Sequence, residues 1–382
     1  MAWDLQAVTG PGRTGLGVSV QFLLDALRNY AQDTEVVELR PNLSDTALKG
    51  VLDRLKWEQW RLPAALRTAR HEQDVKLCYS PALGAPISSP VPVVAHVHDL
   101  IPLHYPHLFT GAASRFYWCK LLPYTWRRCR ALTVSNQSVA DDICEMLSYP
   151  ADRIHVVPYY PDPAVAAAAQ VINPGFREID VNDTPKTPLF VTLATHEWRK
   201  NIEAVIKAVA KLKQRGITAR LTCIGGHTPL TETYRKLSIG LGISSQVEFP
   251  GYLEREQAVR LLLSCTALAF MSHYEGYGMP PQEAQSIGCA VVLSDIPCHR
   301  KIYLDESRWP DLAESHRIRP QLIAPQDESA LADELERLIE DQEYRAGLRR
   351  SGLAYSATFG PADTAGSLRG AFASALATPQ AG

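Results

Sequence analysis

The sequence contains no uninterrupted apolar run that approaches the ~20 residues of a membrane-spanning helix. No N-terminal stretch combines a charged start, an apolar middle and a small-residue cleavage site, so we identify no signal peptide. The 39 Lys and Arg are balanced by 41 Asp and Glu, and net charge gives no reason to expect a nucleic-acid partner. We therefore expect a cytoplasmic protein, or one held at the inner face of the cell membrane only through its surface.

The sequence also has no C-x-x-C pair and no D-x-D sequence whose carboxylates could bind a metal ion. The 8 Cys are scattered without a C-x-x-C pair, which fits neither a zinc knuckle nor a disulfide framework. Their apolar surroundings are typical of buried thiols in a reducing compartment. The H-x-H sequence of His96 and His98 could ligate a metal, but no further Cys or His cluster completes a tetrahedral site. We expect no metal and no other cofactor.

Strand-length apolar runs that alternate with amphipathic helical patterns are abundant, and they predict βαβ units on parallel sheets. A chain of 382 residues exceeds what one hydrophobic core usually serves. The predicted fold is α/β with two Rossmann-like, doubly wound domains. The expected parts are an N-terminal domain at 1–160, a proline-rich linker at 161–187, a C-terminal domain at 188–360, and a helix and tail at 361–382 that packs back on the N-terminal domain.

The most informative stretch is Ser272–Glu283, SHYEGYGMPPQE, which follows a predicted strand and enters a helix. Its glycines let the backbone approach a ligand, and free amides at a helix N-terminus suit a diphosphate. Glu275 lies in the loop and Glu283 in the first helical turn. A carboxylate there can accept hydrogen bonds from the vicinal hydroxyls of a ribose. Taken alone, Glu275 could be an ordinary acidic residue of a loop, and Glu283 an ordinary acidic residue at the start of a helix.

This stretch resembles the E-x7-E element of glycosyltransferase family 4, which contains retaining enzymes of the GT-B fold. The resemblance implies two domains facing across a cleft, with acceptors bound by the first and the nucleotide sugar by the second. It implies that Glu275 contacts the donor sugar and Glu283 the nucleotide ribose. The flanking positions resemble the donor-binding loop of the family, and they are Ser272, Gly276, Tyr277, Gly278 and Met279.

Two further segments carry the resemblance. In THEWRKN, Arg199 and Lys200 resemble an R-K-N element whose cations stabilise the departing diphosphate. The stretch HVHDLIPLHYP resembles bacterial polysaccharide mannosyl- and rhamnosyltransferases; it implies that His98 faces the donor sugar and that Asp99 lies nearby on the acceptor side. Ser135 matches a less specific family position. The implied donor is a GDP-sugar carrying mannose or a related deoxyhexose, with UDP-sugars as the alternative, and the implied acceptor is a saccharide or a lipid-linked saccharide.

A competing hypothesis rests on Gly10–Gly15, which spells G-x-G-x-x-G with Glu35 further on, the pattern of an NAD-dependent oxidoreductase. The short preceding strand and Pro11 argue against it. In the glycosyltransferase interpretation, Gly15 and Gly17 resemble a loop before the first helix that covers the donor phosphates. A nucleotide-sugar-binding protein without turnover is a third hypothesis.

Two basic and aromatic segments, Arg54–Arg70 and Arg115–Arg130, hold four of the 7 Trp. Tryptophan mixed with Lys and Arg is typical of anchoring at a membrane interface. We expect these segments to dock on an anionic membrane surface; the alternative is that the aromatic rings are core and the arginines simply solvated.

Overall fold

The computed structural model describes most of the chain and divides it into two compact units. The described residues are 1–6, 15–31, 33–41, 50–82, 84–181, 187–309 and 317–377. One unit comprises Met1–Tyr159 with the residues from Gly360 onward, and the other comprises Tyr160–Phe359.

The first unit is built on six parallel strands in the order β2-β1-β3-β4-β5-β6. The strands are β1 (Ala2–Asp4), β2 (Val37–Leu39), β3 (Cys78–Ser80), β4 (Val93–Val97), β5 (Ala131–Val134) and β6 (Ile154–Val156). The helices are α1 (Gly15–Tyr30), α2 (Val51–Lys56), α3 (Leu62–Gln73), α4 (Ile101–His104), α5 (Ala112–Phe116), α6 (Leu122–Arg128) and α7 (Gln137–Leu147). A π-helical turn, Trp57–Arg61, joins α2 to α3, and a second, Tyr117–Leu121, joins α5 to α6.

The second unit repeats this plan with the strand order β12-β11-β10-β7-β8-β9. Its strands are β7 (Leu189–Leu193), β8 (Arg220–Ile224), β9 (Val247–Gly251), β10 (Ala267–Phe270), β11 (Val291–Ser294) and β12 (Leu322–Ile323). Its helices are α8 (Pro163–Ile172), α9 (Ile202–Gln214), α10 (Pro229–Gly240), α11 (Arg255–Ser264), α12 (Met279–Ser286), α13 (Pro297–Tyr303), α14 (Glu328–Glu340) and α15 (Gln342–Ser356). The chain order reverses between β7 and β10, which is where doubly wound sheets bind ligands.

The predicted α/β fold of two doubly wound sheets is confirmed. The predicted linker at 161–187 is wrong for its first part. The side chain of Asp162 accepts the Ala164 amide hydrogen bond at 2.8 Å and caps α8, which packs on α11. The Ala-rich run is a helix because alanine has the highest helix propensity, and the proline sits at the tolerated first position.

The C-terminal helix α16 (Pro361–Ala377) belongs to the first unit and packs on α1. Thr364 Oγ1 donates to the Pro158 carbonyl at 2.7 Å, and the rings of Phe372 and Tyr79 meet edge to face at 5.2 Å. The last segment of the chain therefore completes the core of the first unit.

Two buried carboxyl groups lie beside the carboxyl end of β1. Asp4 accepts hydrogen bonds from Trp57 Nε1 at 2.9 Å and Ser80 Oγ at 3.0 Å. Glu58 accepts from Tyr117 Oη at 2.6 Å. Glu58 and Tyr117 come from the two π-helical turns, so these turns aim the two side chains at each other. Burial raises the pKa of Asp4 to about 6 and that of Glu58 to about 7.

We expect the contribution of Glu58 to the unfolding free energy to fall as pH rises. The folded state keeps a proton on Glu58 that the unfolded state releases near its ordinary pKa, so this contribution is lost as pH passes through about 7. Between about pH 5 and about pH 8, the contribution of Glu58 to the unfolding free energy should drop by about 3 kcal/mol. Buried histidines such as His98, whose pKa burial lowers to about 4, act in the opposite direction, so the contribution is measured as the difference from a variant without Glu58. Urea unfolding at both pH values measures it.

The substitution Glu58→Gln keeps an acceptor for Tyr117 and removes the titration, so it should remove this contribution from the pH dependence. The matched control is Glu72→Gln, at an exposed position of α3. An equal pH slope in wild type and Glu58→Gln would contradict the assignment.

Candidate active site

The loops after β7 and β10 meet at the point where the strand order of the second unit reverses. The His273 amide donates to the Arg199 carbonyl at 2.8 Å, which fastens one loop to the other. The side chain of Asn201 donates to the Met271 carbonyl at 3.0 Å and to the Pro325 carbonyl at 2.7 Å. Asn201 has a φ of 50°, in the left-handed region that asparagine tolerates better than most residues. The conformation of this residue therefore sets where the preceding cations lie.

Glu275 is the centre of the site and is only 7% exposed. Its Oε1 accepts from Lys200 Nζ at 2.6 Å and from Ser272 Oγ at 2.6 Å. Its Oε2 accepts from Arg199 Nη1 at 2.9 Å. Burial acts to raise the pKa of Glu275, but the charges of Lys200 and Arg199 outweigh it and hold the pKa at about 2. The carboxylate is therefore ionised throughout the physiological range.

Helix α12 begins at the end of the same loop. Gly278 has a φ of +82°, and a Cβ there would lie 3.2 Å from the Phe270 ring. Only glycine adopts this turn against β10 without strain. The ring of Phe270 also lies beneath the Lys200 ammonium, with Nζ 5.2 Å from the ring centroid. The glycine thus lets the loop close tightly over the cation cluster.

Glu283 lies half-buried in α12, just past the first turn, so the predicted position in the first turn is wrong by one residue. Within the part of the chain that the structure describes, no group donates a hydrogen bond to its carboxylate. Burial, followed by the negative charge of Asp162, raises the pKa of Glu283 to about 7, and Arg255 opposes them. Arg255 Nη2 pairs with Asp162 Oδ2 at 2.9 Å. The carboxylate of Glu283 can therefore accept hydrogen bonds from a ligand, whereas that of Glu275 already accepts three from the protein.

The candidate residues of the first unit lie in a separate hydrogen-bonded network. His98 Nε2 bonds the Pro81 carbonyl at 2.6 Å, and its Nδ1 lies 2.9 Å from Tyr159 Oη. Because a carbonyl only accepts, Nε2 carries the proton and Nδ1 accepts from Tyr159. Tyr159 Oη in turn lies 3.0 Å from His96 Nε2. Burial lowers the pKa of His98 to about 4, so the ring is neutral near pH 7.

Both nitrogens of His98 are therefore engaged within the first unit, and a sugar hydroxyl would have to replace one of these bonds. The H-x-H pair does not resemble a metal site, because the facing nitrogens of both rings bond the same tyrosine. Among the described residues, no group of three or more His, Cys, Asp or Glu is arranged to hold a metal ion.

The other candidates have local structural partners. Asp99 Oδ1 accepts from the Ile101 amide at 3.0 Å at the start of α4. Ser135 is buried after β5, and its Oγ accepts from Asn136 Nδ2 at 3.3 Å. Gly15 and Gly17 are in the first turn of α1, so the prediction that they form a loop before the helix is wrong in its boundary. The remainder of the Gly10–Gly15 string lies outside the described residues.

Sequence reasoning missed four residues that shape the two networks. Asn201 follows the basic pair in the same R-K-N element, so its signal was present. Asp162 and Arg255 gave no signal, because they are far apart in sequence and meet only through the packing of α8 on α11. Tyr159 follows β6 and had no motif around it.

Two family models match the chain, and together they span most of it. The model of glycosyl transferases group 1 matches residues 176–353, which carry the Glu275 cluster. The model of glycosyltransferase family 4 matches residues 15–163. The chain belongs to glycosyltransferase family 4. Because the chain belongs to this family, the hypothesis of an NAD-dependent oxidoreductase is set aside.

Similar curated proteins include mannosyltransferases. The serotype-specific mannosyltransferase WbdA of Escherichia coli is 29% identical over 72% of this chain. The chain spans about a third of that relative, since the match covers 32% of its length. The O-antigen chain mannosyltransferase RfbU of Salmonella typhimurium is 22% identical, with 60% of this chain and 62% of RfbU covered.

Solved structures show the same fold at low identity. Sucrose-phosphate synthase of Thermosynechococcus elongatus has a TM-score of 0.68 at 16% identity and covers 97% of this chain and 98% of its own. Anabaena HepE, in complex with UDP and glucose, has a TM-score of 0.67 at 14% identity, covering 98% and 99%. The glycosyltransferase WaaG has a TM-score of 0.65 at 15% identity, covering 97% and 98%. The chain therefore has the GT-B fold.

We expect Lys200→Met to destabilise the ligand-free enzyme, because it leaves the buried Glu275 charge short of a partner. Breaking a buried pair in this way costs about 3 kcal/mol of unfolding free energy. The double variant Lys200→Met with Glu275→Gln should recover part of that loss. Urea unfolding measures both, with Lys213→Met on the exposed face of α9 as the control. A loss in Lys200→Met no larger than the control would show that Arg199 alone neutralises Glu275.

Proposed function

We propose that this glycosyltransferase moves a mannosyl or related deoxyhexosyl group from a GDP-sugar to a saccharide or lipid-linked saccharide in polysaccharide biosynthesis, with retention at the anomeric carbon. The observation that carries the proposal is the pairing of Arg199 and Lys200 with the buried Glu275 at the switch point of the second sheet.

Arg199 and Lys200 are suited to the diphosphate of the donor. Both cations are held within 2.9 Å of one carboxylate, and each carries several N–H donors. A diphosphate beside them would share their charge. Positive groups fixed before the ligand arrives stabilise the leaving group without reorganisation.

Glu275 is poorly suited to the covalent route to retention. Its carboxylate already accepts from Lys200, Arg199 and Ser272, which makes it a poor nucleophile. We therefore propose displacement on one face of the sugar. The acceptor oxygen bonds to the anomeric carbon while the bond to the diphosphate oxygen breaks, and that oxygen takes the proton of the acceptor hydroxyl. Glu275 then faces the positive charge that develops on the sugar.

The role of Glu283 is to bind the nucleotide ribose. Its position just past the first turn of α12 and its half-buried carboxylate support this, since vicinal hydroxyls would supply two hydrogen bonds. The names of WbdA and RfbU support a mannosyl donor. A UDP-sugar is the second candidate, favoured by HepE, whose structure holds UDP and glucose.

Two matched variants test the site. We expect Glu275→Gln to lower the rate of transfer about a hundredfold or more with little change in GDP affinity, because it acts on the sugar. We expect Glu283→Gln to weaken GDP binding about tenfold, because hydrogen bonds to a charged group are lost. Thermal shift with GDP, UDP, ADP and NAD identifies the nucleotide. Calorimetry then measures the GDP affinity of each variant, and donor turnover measures its rate of transfer.

The control is Glu232→Gln, at an exposed position of α10. Near-normal transfer by Glu275→Gln would contradict the proposed donor site.

The same assay with EDTA should retain most activity, because Arg199 and Lys200 neutralise the phosphate charge. Full dependence on Mn²⁺ or Mg²⁺ would contradict the metal-free proposal.

We also propose that the first unit docks on an anionic membrane through a surface formed by α2–α3 and α5–α6. The two helical segments meet where Arg54 lies over the Trp118 ring, 5.6 Å from its centroid. Their aromatic residues divide between core and surface: Trp57, Tyr117 and Trp126 are buried. Large exposed apolar side chains remain at Leu52, Trp60, Phe116 and Tyr124. None of the described helices is long and apolar enough to cross a membrane.

We expect the wild-type protein to co-sediment with anionic vesicles at low salt and to be released at high salt, because cations near anionic lipid add about 1 kcal/mol each. The double variant Trp60→Ala with Phe116→Ala should lose most of this binding. The control Ile239→Ala removes an equally exposed apolar residue, 65% accessible, from the second unit. Recovery in the supernatant regardless of anionic lipid would contradict the proposal.

A further inference from the structure

Two of the 8 Cys are in direct contact. The sulfur atoms of Cys265 and Cys289 are 3.4 Å apart, although 24 positions separate the residues. Both thiols are free; Cys265 is partly accessible and Cys289 is buried. The pair takes no part in the donor site, which lies at the other end of the same strands.

The sheet holds the two residues in place. Cys265 lies just before β10 and Cys289 just before β11, and these strands pair in parallel with Leu268 opposite Val291. The neighbouring backbone is held as well, because Arg349 Nε donates to the Gly288 carbonyl at 2.8 Å. Contact between the sulfurs is therefore set by strand register rather than by a mobile loop.

We propose that Cys265 and Cys289 form a reversible disulfide, with a small disulfide such as oxidised glutathione as the oxidant. A disulfide bond is about 2.05 Å long, so the sulfurs must approach by about 1.4 Å, which side-chain rotation at one residue supplies. In a reducing compartment the pair stays a dithiol, and oxidising conditions convert it.

The disulfide forms by two successive thiol–disulfide exchanges. The thiolate of Cys265, the more accessible residue, attacks oxidised glutathione, forms a mixed disulfide and releases one glutathione thiolate. The thiolate of Cys289 then attacks the sulfur of Cys265, closes the protein disulfide and releases a second glutathione. The protein loses two electrons and two protons, and the oxidant is reduced to two thiols. The contact with Cys289 and burial raise the pKa of Cys265, so conversion is slow at neutral pH and faster in mild alkali.

The position of the bond gives it a consequence for the enzyme. The loop it closes runs from Cys265 to Cys289 and contains β10, the segment Ser272–Glu283 and α12. A cross-link restricts the unfolded states of this segment, so it stabilises the folded donor loop. The link lies at the amino ends of the strands, and the hydrogen bonds of Glu275 at their carboxyl ends need no change. We therefore expect oxidation to protect the donor site from unfolding without blocking it.

The test is incubation with oxidised glutathione at about pH 8, blocking of free thiols, and peptide mass spectrometry. We expect a peptide linked between Cys265 and Cys289 that dithiothreitol cleaves, and a thermal midpoint raised by about 5 °C in the oxidised protein. Cys265→Ser and Cys289→Ala should each abolish both effects. The matched control Cys119→Ser removes a partly accessible thiol elsewhere and should keep both.

Two results would overturn the proposal: eight titratable thiols after oxidation, or a glutathione adduct on Cys265 that persists instead of passing to Cys289. Both are read from the wild-type protein, so they do not depend on the folding of a variant.

Discussion

The second unit depends on one buried carboxylate and the two cations that neutralise it. Glu275 would be costly to bury alone, since an isolated charge in the protein interior is strongly disfavoured. Lys200 and Arg199 offset that penalty, and Asn201 fixes the turn that carries them. The loops after β7 and β10 are therefore joined by charge as well as by backbone hydrogen bonds. A site assembled in this way is already ordered before any ligand binds.

The two glutamates of the same loop and helix are set in opposite electrostatic surroundings. Cations hold the pKa of Glu275 at about 2, whereas burial and Asp162 raise that of Glu283 to about 7. Similar side chains acquire different tasks when their environments separate their pKa values. Glu275 is suited to facing a developing positive charge. Glu283 is suited to hydroxyl groups, because a group near half-ionisation at neutral pH can accept or donate a hydrogen bond.

The fold and the centre of the candidate site could be predicted from sequence because their signals are local. Strands, glycines and the spacing of Glu275 and Glu283 lie within short windows. The helix α8 was missed because prolines on both sides suggested a linker, although Asp162 and Pro163 are a good helix start. The π-helical turns and the Asp162–Arg255 pair could not be predicted, since both depend on which helices pack together. The boundary of α1 was misplaced because glycines at 15 and 17 suggested a loop.

The two units show how one architecture produces opposite electrostatics. In the first unit, Asp4 and Glu58 are buried with neutral donors, and burial raises the pKa of each. In the second unit, Glu275 is buried with two cations, and its pKa falls. Neutral donors satisfy a carboxyl group that keeps its proton, whereas cations hold a carboxylate that never takes one. The cation pair, rather than the doubly wound sheet or the burial of an acid, therefore suits the second unit to the phosphorylated ligand that we propose.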